Sequence, residues 1–304
     1  MGATPLGVLT LSDRKFCHDP HTGQTRRYSP EGLTMRLELV QMAARDGDSA
    51  YNLERVLRAI ADSAPGSDIV MFPESSITGF LDHDNIARLA EPVDGASVQT
   101  ICAAARQHDV AVVVGLIERE GERFYNTTLL ITPEGVALTY RKTHLWVGEP
   151  GLVYPGDRFT TVQWRGVRIG LLICYDIEFP ESACALAALG AQLILITDGN
   201  MEPYGHLHHT AVAARAQENQ VFAAMVNRVG EGVGEVFAGG SSVVDPFGRR
   251  LFEAGAQESR HVVDLDLTQI APSRALYDYR AEKRLKLAAA VTEHPDGRRE
   301  LLIP

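Results

Sequence analysis

From Met35 onward the chain alternates short apolar runs of strand length with amphipathic helical patterns, and this alternation limits the folds open to it more than any single residue does. The run "MRLELVQM" alternates like a strand. Next, "YNLERVLRAIADSA" brings Leu53, Val56, Leu57 and Ile60 to one helical face, and "DIVMFPE" reads as a short buried strand. The segment "SVQTICAAARQHD" repeats the helical pattern with Val98, Ile101, Cys102 and Ala105 inward, before the strand "VAVVVGLIE". Then "RFYNTTLLIT", the turn "PEG" and "VALTYRK" form an expected antiparallel hairpin. The strand "GVRIGLLIC" leads to a helix opened by Pro180 and ended by Gly190, then to "AQLILIT". A helix over "HTAVAARAQENQ" and strands in "VFAAMVN" and "SSVVDPFGRRLFEA" complete the series. Hairpins inserted among alternating elements predict mixed rather than purely parallel sheets layered with helices.

No repeat, low-complexity tract or linker interrupts the chain after Met35, so residues 35–304 read as one domain. Residues 1–34 are polar and turn-rich and read as an N-terminal extension: an arm on a partner subunit, a tail, or a product of start-codon choice. A 45% hydrophobic content in 304 residues is enough for a sizeable core. The formal charge of -10 opposes a nucleic-acid surface, and the short basic stretch "RAEKRLKL" reads as a solvated helix face. Cys17, Cys102, Cys174 and Cys184 show no paired spacing, which points to a reducing cytoplasm rather than to disulfides or a zinc knuckle. The chain has no run of membrane-spanning length and no signal-peptide pattern, so neither membrane insertion nor secretion is expected.

Three of the buried strands end on a chemically loaded residue: Glu74, Lys142 and Cys174. Ligands of α/β sheets bind outside the carboxyl ends of the strands, so a carboxylate, an ammonium and a thiol can converge there. Cys174 is followed by Asp176, Glu178 and Glu181, an acidic setting that works against a thiolate. Lys142 would offset that charge, and Glu74 would move the proton. Singly, each residue has a plainer reading: Cys174 as a small buried hydrophobe, Glu74 as a cap, Lys142 as a surface ammonium.

The segments "MFPESSITGF", "YRKTHLWVGEPGLVYPGD" and "GLLICYDIEFPE", in this order, resemble the three signatures of the nitrilase superfamily, the carbon-nitrogen hydrolases. The likeness extends to "YNTTLLITPEGVALTYRKTH", "ARAQENQVFAAMVNRVG" and "GGSSVVDPFGRRL". It implies a four-layer α-β-β-α sandwich assembled as a homodimer or higher homo-oligomer. Carried over position by position, Cys174 matches the nucleophile, Glu74 the general base and acid, and Lys142 the lysine beside the tetrahedral intermediate. Glu149 matches a second active-site glutamate, across a loop whose length varies among members. The oxyanion would rest on Lys142 and the Tyr175 N–H, and neither a metal nor an organic cofactor is implied.

The residues around the cysteine bear on the substrate. True nitrilases resemble one another in a Cys-Trp-Glu sequence, whereas Cys174-Tyr175-Asp176 is similar to the amidase and carbamoylase branches. Relatives that bind an N-carbamoyl amino acid place arginines where this chain has Ile177 and Glu178. Glu178 would repel a substrate carboxylate, which disfavours N-carbamoyl amino acids and ω-amidase substrates and favours neutral or amine-bearing amides, amino-acid amides included. Its plainer role is to face solvent or a subunit interface. Trp146, Tyr175 and Asn200 are candidate pocket walls. His206, His208 and His209 lack the carboxylate pattern of a metal site and are placed in the loop after "LILITDGN", where the resemblance puts the pocket wall and implies that one of them touches substrate. Arg215 and Glu218 are spaced for an ion pair. Two further readings remain: a catalytically silent binding or assembly protein of the same fold, and a redox sensor pairing Cys174 with Cys184.

Overall fold

The computed structural model describes residues 33–275, 277–285 and 290–303. Apart from Leu33 and Thr34, the expected N-terminal extension lies outside the described residues. The strands are β1 (Thr34–Gln41), β2 (Ile69–Met71), β3 (Ala111–Glu120), β4 (Arg123–Thr132), β5 (Gly135–Arg141), β6 (Arg158–Trp164), β7 (Val167–Ile173) and β8 (Leu193–Asp198). They continue as β9 (Phe222–Asn227), β10 (Val229–Gly232), β11 (Glu235–Ala238), β12 (Ser242–Val244), β13 (Arg250–Glu253), β14 (Ser259–Asp266), β15 (Val291–Glu293) and β16 (Arg299–Leu302). Helices α1 (Ser49–Ala61), α2 (Ile86–Leu89), α3 (Ala96–His108), α4 (Pro180–Ala188), α5 (Gly205–Asn219), α6 (Ile270–Ser273) and α7 (Tyr279–Glu282) lie between them.

Two mixed sheets result, ordered β14-β1-β2-β3-β4-β5 and β13-β12-β9-β8-β7-β6-β16-β15. In the first sheet β1, β2 and β3 run parallel and the β3–β4–β5 meander antiparallel. In the second, β7, β8 and β9 are the parallel centre. Alternate side chains sort into layers because successive Cβ atoms on a strand point to opposite faces. Ile69, Met71, Ala111 and Val113 enter the core between the sheets, with Ile169, Leu171 and Leu195 of the second sheet. Val70, Phe72, Val112 and Val114 face outward to Val56 and Ile60 of α1 and Val98 and Ile101 of α3. On the far side, Ala183 and Leu186 of α4 and Val212 and Ala216 of α5 cover the second sheet. The layers are therefore α-β-β-α, as expected.

Several elements differ from the sequence reading. Strand β2 stops at Met71, three residues before Glu74, because Pro73 has no N–H to continue a ladder. Helix α5 begins at Gly205, so His206, His208 and His209 lie in its first turns rather than in a loop. The basic "RAEKRLKL" stretch is mostly exposed, as expected, but it is helical only to Glu282, where α7 ends, and Lys283 turns inward, with Nζ 3.5 Å from Cys184 Sγ and 3.4 Å from Asn219 Oδ1. Lys286 and Leu287, the last two residues of that stretch, lie outside the described residues.

Candidate active site

The carboxylate arrives first. Glu74 follows β2 in a turn whose N–H donates to the Asp198 carbonyl at 3.2 Å, tying the first sheet to the second. Two glycines admit this turn. A Cβ on Gly115 would stand 2.5 Å from the Ser75 nitrogen, and one on Gly199 would stand 2.7 Å from Glu74 Oε2. A side chain at Gly115 would push against the Glu74–Ser75 backbone, and one at Gly199 against the Glu74 carboxylate and the Phe80 ring.

Lys142 follows β5, and its ammonium is 2% exposed. Nζ lies 2.9 Å from Glu74 Oε1 and 2.9 Å from Glu149 Oε2. Asn126 Nδ2 donates to both carboxylates, at 2.7 Å to Glu74 Oε1 and 2.8 Å to Glu149 Oε1. The Trp146 N–H donates to Glu149 Oε2 at 2.6 Å, which fixes the loop that carries Glu149. Two carboxylates thus share one ammonium and one amide, and the buried charges are paired and hydrogen-bonded.

Cys174 follows β7 with φ at +46°, the first residue of a 3-10 turn over Cys174–Glu178. A non-glycine residue in this region is strained and is held by its surroundings. Here Asp176, fully buried, does the holding. Its Oδ2 accepts from Tyr140 OH at 2.8 Å and the Ile173 N–H at 3.2 Å. Its Oδ1 accepts from Thr143 Oγ1 at 2.7 Å and the His144 N–H at 2.9 Å. Asp176 therefore ties the cysteine turn to the segment that follows Lys142.

Electrostatics define the resting state. Burial, with the Glu74 carboxylate adding to it, pushes the Cys174 thiol well above its ordinary range, against the pull of Lys142. Burial also raises Glu74, opposed by Lys142 and reinforced by Glu149 and Asp198. Burial works against the Lys142 ammonium, yet Glu74, Cys174 and Glu149 together raise it well above its usual value. Burial thus favours the protonated sulfur at rest.

Glu74, Lys142, Glu149 and Cys174 line one cavity of about 300 Å³, together with Trp146, Tyr175, Glu178 and Asn200. All eight residues singled out from sequence thus meet at one place. Trp146 packs edge-on against Tyr175, with ring centroids 5.0 Å apart. Asn200 is buried, and its Oδ1 has no hydrogen-bond partner. Cys184 lines a different cavity with Lys283, which removes the basis for pairing it with Cys174.

Asp198 was not read from sequence as a site residue, and His208 only as one of three histidines at the pocket wall; Glu178 lines the cavity and also has a buried partner that the sequence reading did not give it. It faces His208, whose Nε2 lies 3.2 Å from Glu178 Oε1, while Nδ1 lies 3.0 Å from Asp198 Oδ2. Burial works against the imidazolium, but Asp198 and Glu178 prevail and hold its pKa up to about 10. Asp198 ends β8 as Cys174 follows β7, so the strand-end rule that marked Glu74, Lys142 and Cys174 would have marked it too. Among the described residues, donor atoms of Cys174, Asp198 and His208 lie within 4.8 Å of one another. A metal ion there would have to break the Asp198–His208 hydrogen bond. The Arg215–Glu218 pair forms at 2.9 Å, away from the cavity.

Comparison with known proteins agrees with this geometry. The family model described as carbon-nitrogen hydrolase matches residues 36–275. An (R)-stereoselective amidase of Pseudomonas sp is 61% identical over 270 residues, covering 88% of this chain and 98% of the relative. An omega-amidase of Mus musculus is 31% identical over 86% of this chain and 99% of its own. A solved structure of a Nesterenkonia sp. amidase variant, with the acetamide moiety of fluoroacetamide covalently added at its active site cysteine, superposes with a TM-score of 0.75. It is 31% identical and covers 85% of this chain and 97% of that one. No helix among the described residues is long and apolar enough to cross a membrane. With the family model spanning the whole site and the four-layer fold matching solved amidases, the chain belongs to the carbon-nitrogen hydrolase family, the nitrilase superfamily.

Proposed function

We propose that the chain is an amidase that hydrolyses small carboxamides, neutral or amine-bearing and amino-acid amides among them, to a carboxylic acid and ammonia through a thioester at Cys174. The observation that carries this reading is the meeting of the Cys174 thiol, the Glu74 carboxylate and the Lys142 ammonium in one buried cavity. Cys174 Sγ attacks the amide carbon as Glu74 takes the thiol proton, and the developing oxyanion rests on Lys142 Nζ and the Tyr175 N–H. Glu74 returns the proton to the departing ammonia. It then draws a proton from water, which attacks the thioester and releases the acid. Glu149 and Asn126 fix Lys142 and Glu74 relative to each other, which supports their acting as one unit.

Pocket composition supports the substrate class. Glu149, Glu178 and Glu235 line the same cavity as Glu74, so an N-carbamoyl amino acid or a second carboxylate would meet like charge. A homodimer or higher homo-oligomer and a cytoplasmic setting complete the proposal, the first on the family likeness and the second on the unpaired cysteine spacing. Ammonia release is to be measured from a neutral amide, an amino-acid amide, an N-carbamoyl amino acid and a nitrile, with Cys174→Ala alongside. Release from the amides that vanishes in the variant is the expected result. No release from any of them, with the thiol still open to alkylation, would favour the silent binding protein instead.

A further inference from the structure

His208 has both ring nitrogens on carboxylate oxygens, Nδ1 on Asp198 and Nε2 on Glu178. Ionised carboxylates only accept, so both nitrogens must donate and the ring is an imidazolium. The three residues come from three elements: Asp198 from the end of β8, His208 from the first turn of α5, and Glu178 from the end of the cysteine turn. Asp198 is fully buried and His208 is 2% exposed, whereas the Glu178 side chain is 28% exposed and opens on the cavity. Glu178 Oε1 is engaged from its buried side, and among the described residues no protein hydrogen bond reaches Oε2.

From this arrangement, and building on the amidase reading above, we propose that Asp198, His208 and Glu178 form a carboxylate–imidazolium–carboxylate relay that holds Glu178 as the recognition group for a cationic amine on the substrate, with His208 as its positioning residue. The charges fit this role. Asp198 already claims the imidazolium, so the trio keeps one net negative charge, and Glu178 is its exposed end. Lys142 is likewise shared by Glu74 and Glu149, so no cation on that side of the cavity cancels Glu178. An ammonium beside the scissile amide would accordingly find a fixed, half-desolvated acceptor four residues along the turn from the nucleophile. A carboxylate on a free rotor would offer less, because ordering it would cost side-chain entropy at binding.

The test compares alaninamide with isobutyramide, a pair of nearly equal shape in which an ammonium replaces a methyl group, at pH 7 where an α-amine of pKa about 8 is largely protonated. The readout is the ratio of kcat/KM for alaninamide to that for isobutyramide in wild type, Glu178→Gln and His208→Gln, with thermal unfolding to confirm folding. We expect the ratio to fall about tenfold or more in both variants, chiefly through KM for alaninamide. An unchanged ratio in Glu178→Gln would overturn amine recognition by Glu178. A fall in Glu178→Gln but an unchanged or higher ratio in His208→Gln would overturn the relay, since the imidazolium would then only mask the carboxylate. Should His208→Gln not fold, Asp198→Asn removes the far charge while keeping the shape, and its ratio should fall as well; an unchanged ratio there overturns the relay. Wild type that hydrolyses neither amide would overturn the amidase reading and the relay with it, whereas isobutyramide turnover without the ratio change overturns the relay alone.

Discussion

The cavity has two charged walls built on opposite plans. On one, a single ammonium, Lys142, stands between Glu74 and Glu149 beside the thiol. On the other, a single imidazolium, His208, stands between Asp198 and Glu178. Both walls hold one cation between two carboxylates, yet the more open carboxylate of the first, Glu149, is 16% exposed, whereas that of the second, Glu178, is 28% exposed. Enclosure suits groups that must exchange a proton in a fixed geometry, and openness suits a group that must meet a ligand.

The largest effect that would break this contrast concerns the thiol wall. Cys174→Ala should lower amide hydrolysis by at least about 10⁴-fold, as removal of a nucleophile from a cooperating set does, and steady-state ammonia release would show it. Substantial residual turnover would mean that the chemistry does not run through the thiol wall. Lys142→Met comes next. It strands Glu74 and Glu149 in a buried site, so stability should fall by roughly 3–5 kcal/mol in a denaturant titration, with kcat down by about 10²-fold or more. A stable and active Lys142→Met protein would show that the two carboxylates do not need their common cation.

The imidazolium wall makes a pH prediction. His208 is raised from 6.5 to about 10 in the folded chain. Its contribution to stability is therefore complete below the unfolded value and is lost as pH rises through the folded one. Between pH 7 and 10 the Tm of wild type should decline more steeply than that of His208→Gln, and parallel declines would refute a charged His208. The smallest expected effect is a control outside both walls: Arg58→Ala removes an exposed pair with Glu54 on α1 and should cost no more than about 0.5 kcal/mol. A larger loss would mean that surface pairs also matter to this fold.

The two walls also differ in how far sequence revealed them. Glu74, Lys142 and Cys174 were legible because each follows an apolar run of strand length and sits in a recognisable segment, and Glu149 followed from the loop beyond Lys142. The other wall depends on where α5 begins. Tyr204 precedes it without a capping side chain, so none of the usual Ser, Thr, Asp or Asn start signals marks the helix, and His208 was assigned to a loop. In the fold, β14 escaped notice for a related reason. Its residues are mostly exposed or half-buried and show little strand pattern, and it is a strand because it pairs with β1 from Thr34↔Asp266 to Gln41↔Ser259. Such long-range pairing overrides local propensity.

Glu74 and Lys142 belong to the first sheet, Cys174 and Asp198 to the second, and the Glu74 N–H bonded to the Asp198 carbonyl is a stitch across the seam. Neither sheet alone holds a working set of groups. Turnover is therefore a gauge of assembly: a chain cut between Trp164 and Val167 leaves β6 of the second sheet with Glu74 and Lys142 and β14 of the first with Cys174 and Asp198, so two fragments would regain activity only as both sheets re-form, which makes the enzyme a reporter of its own complementation.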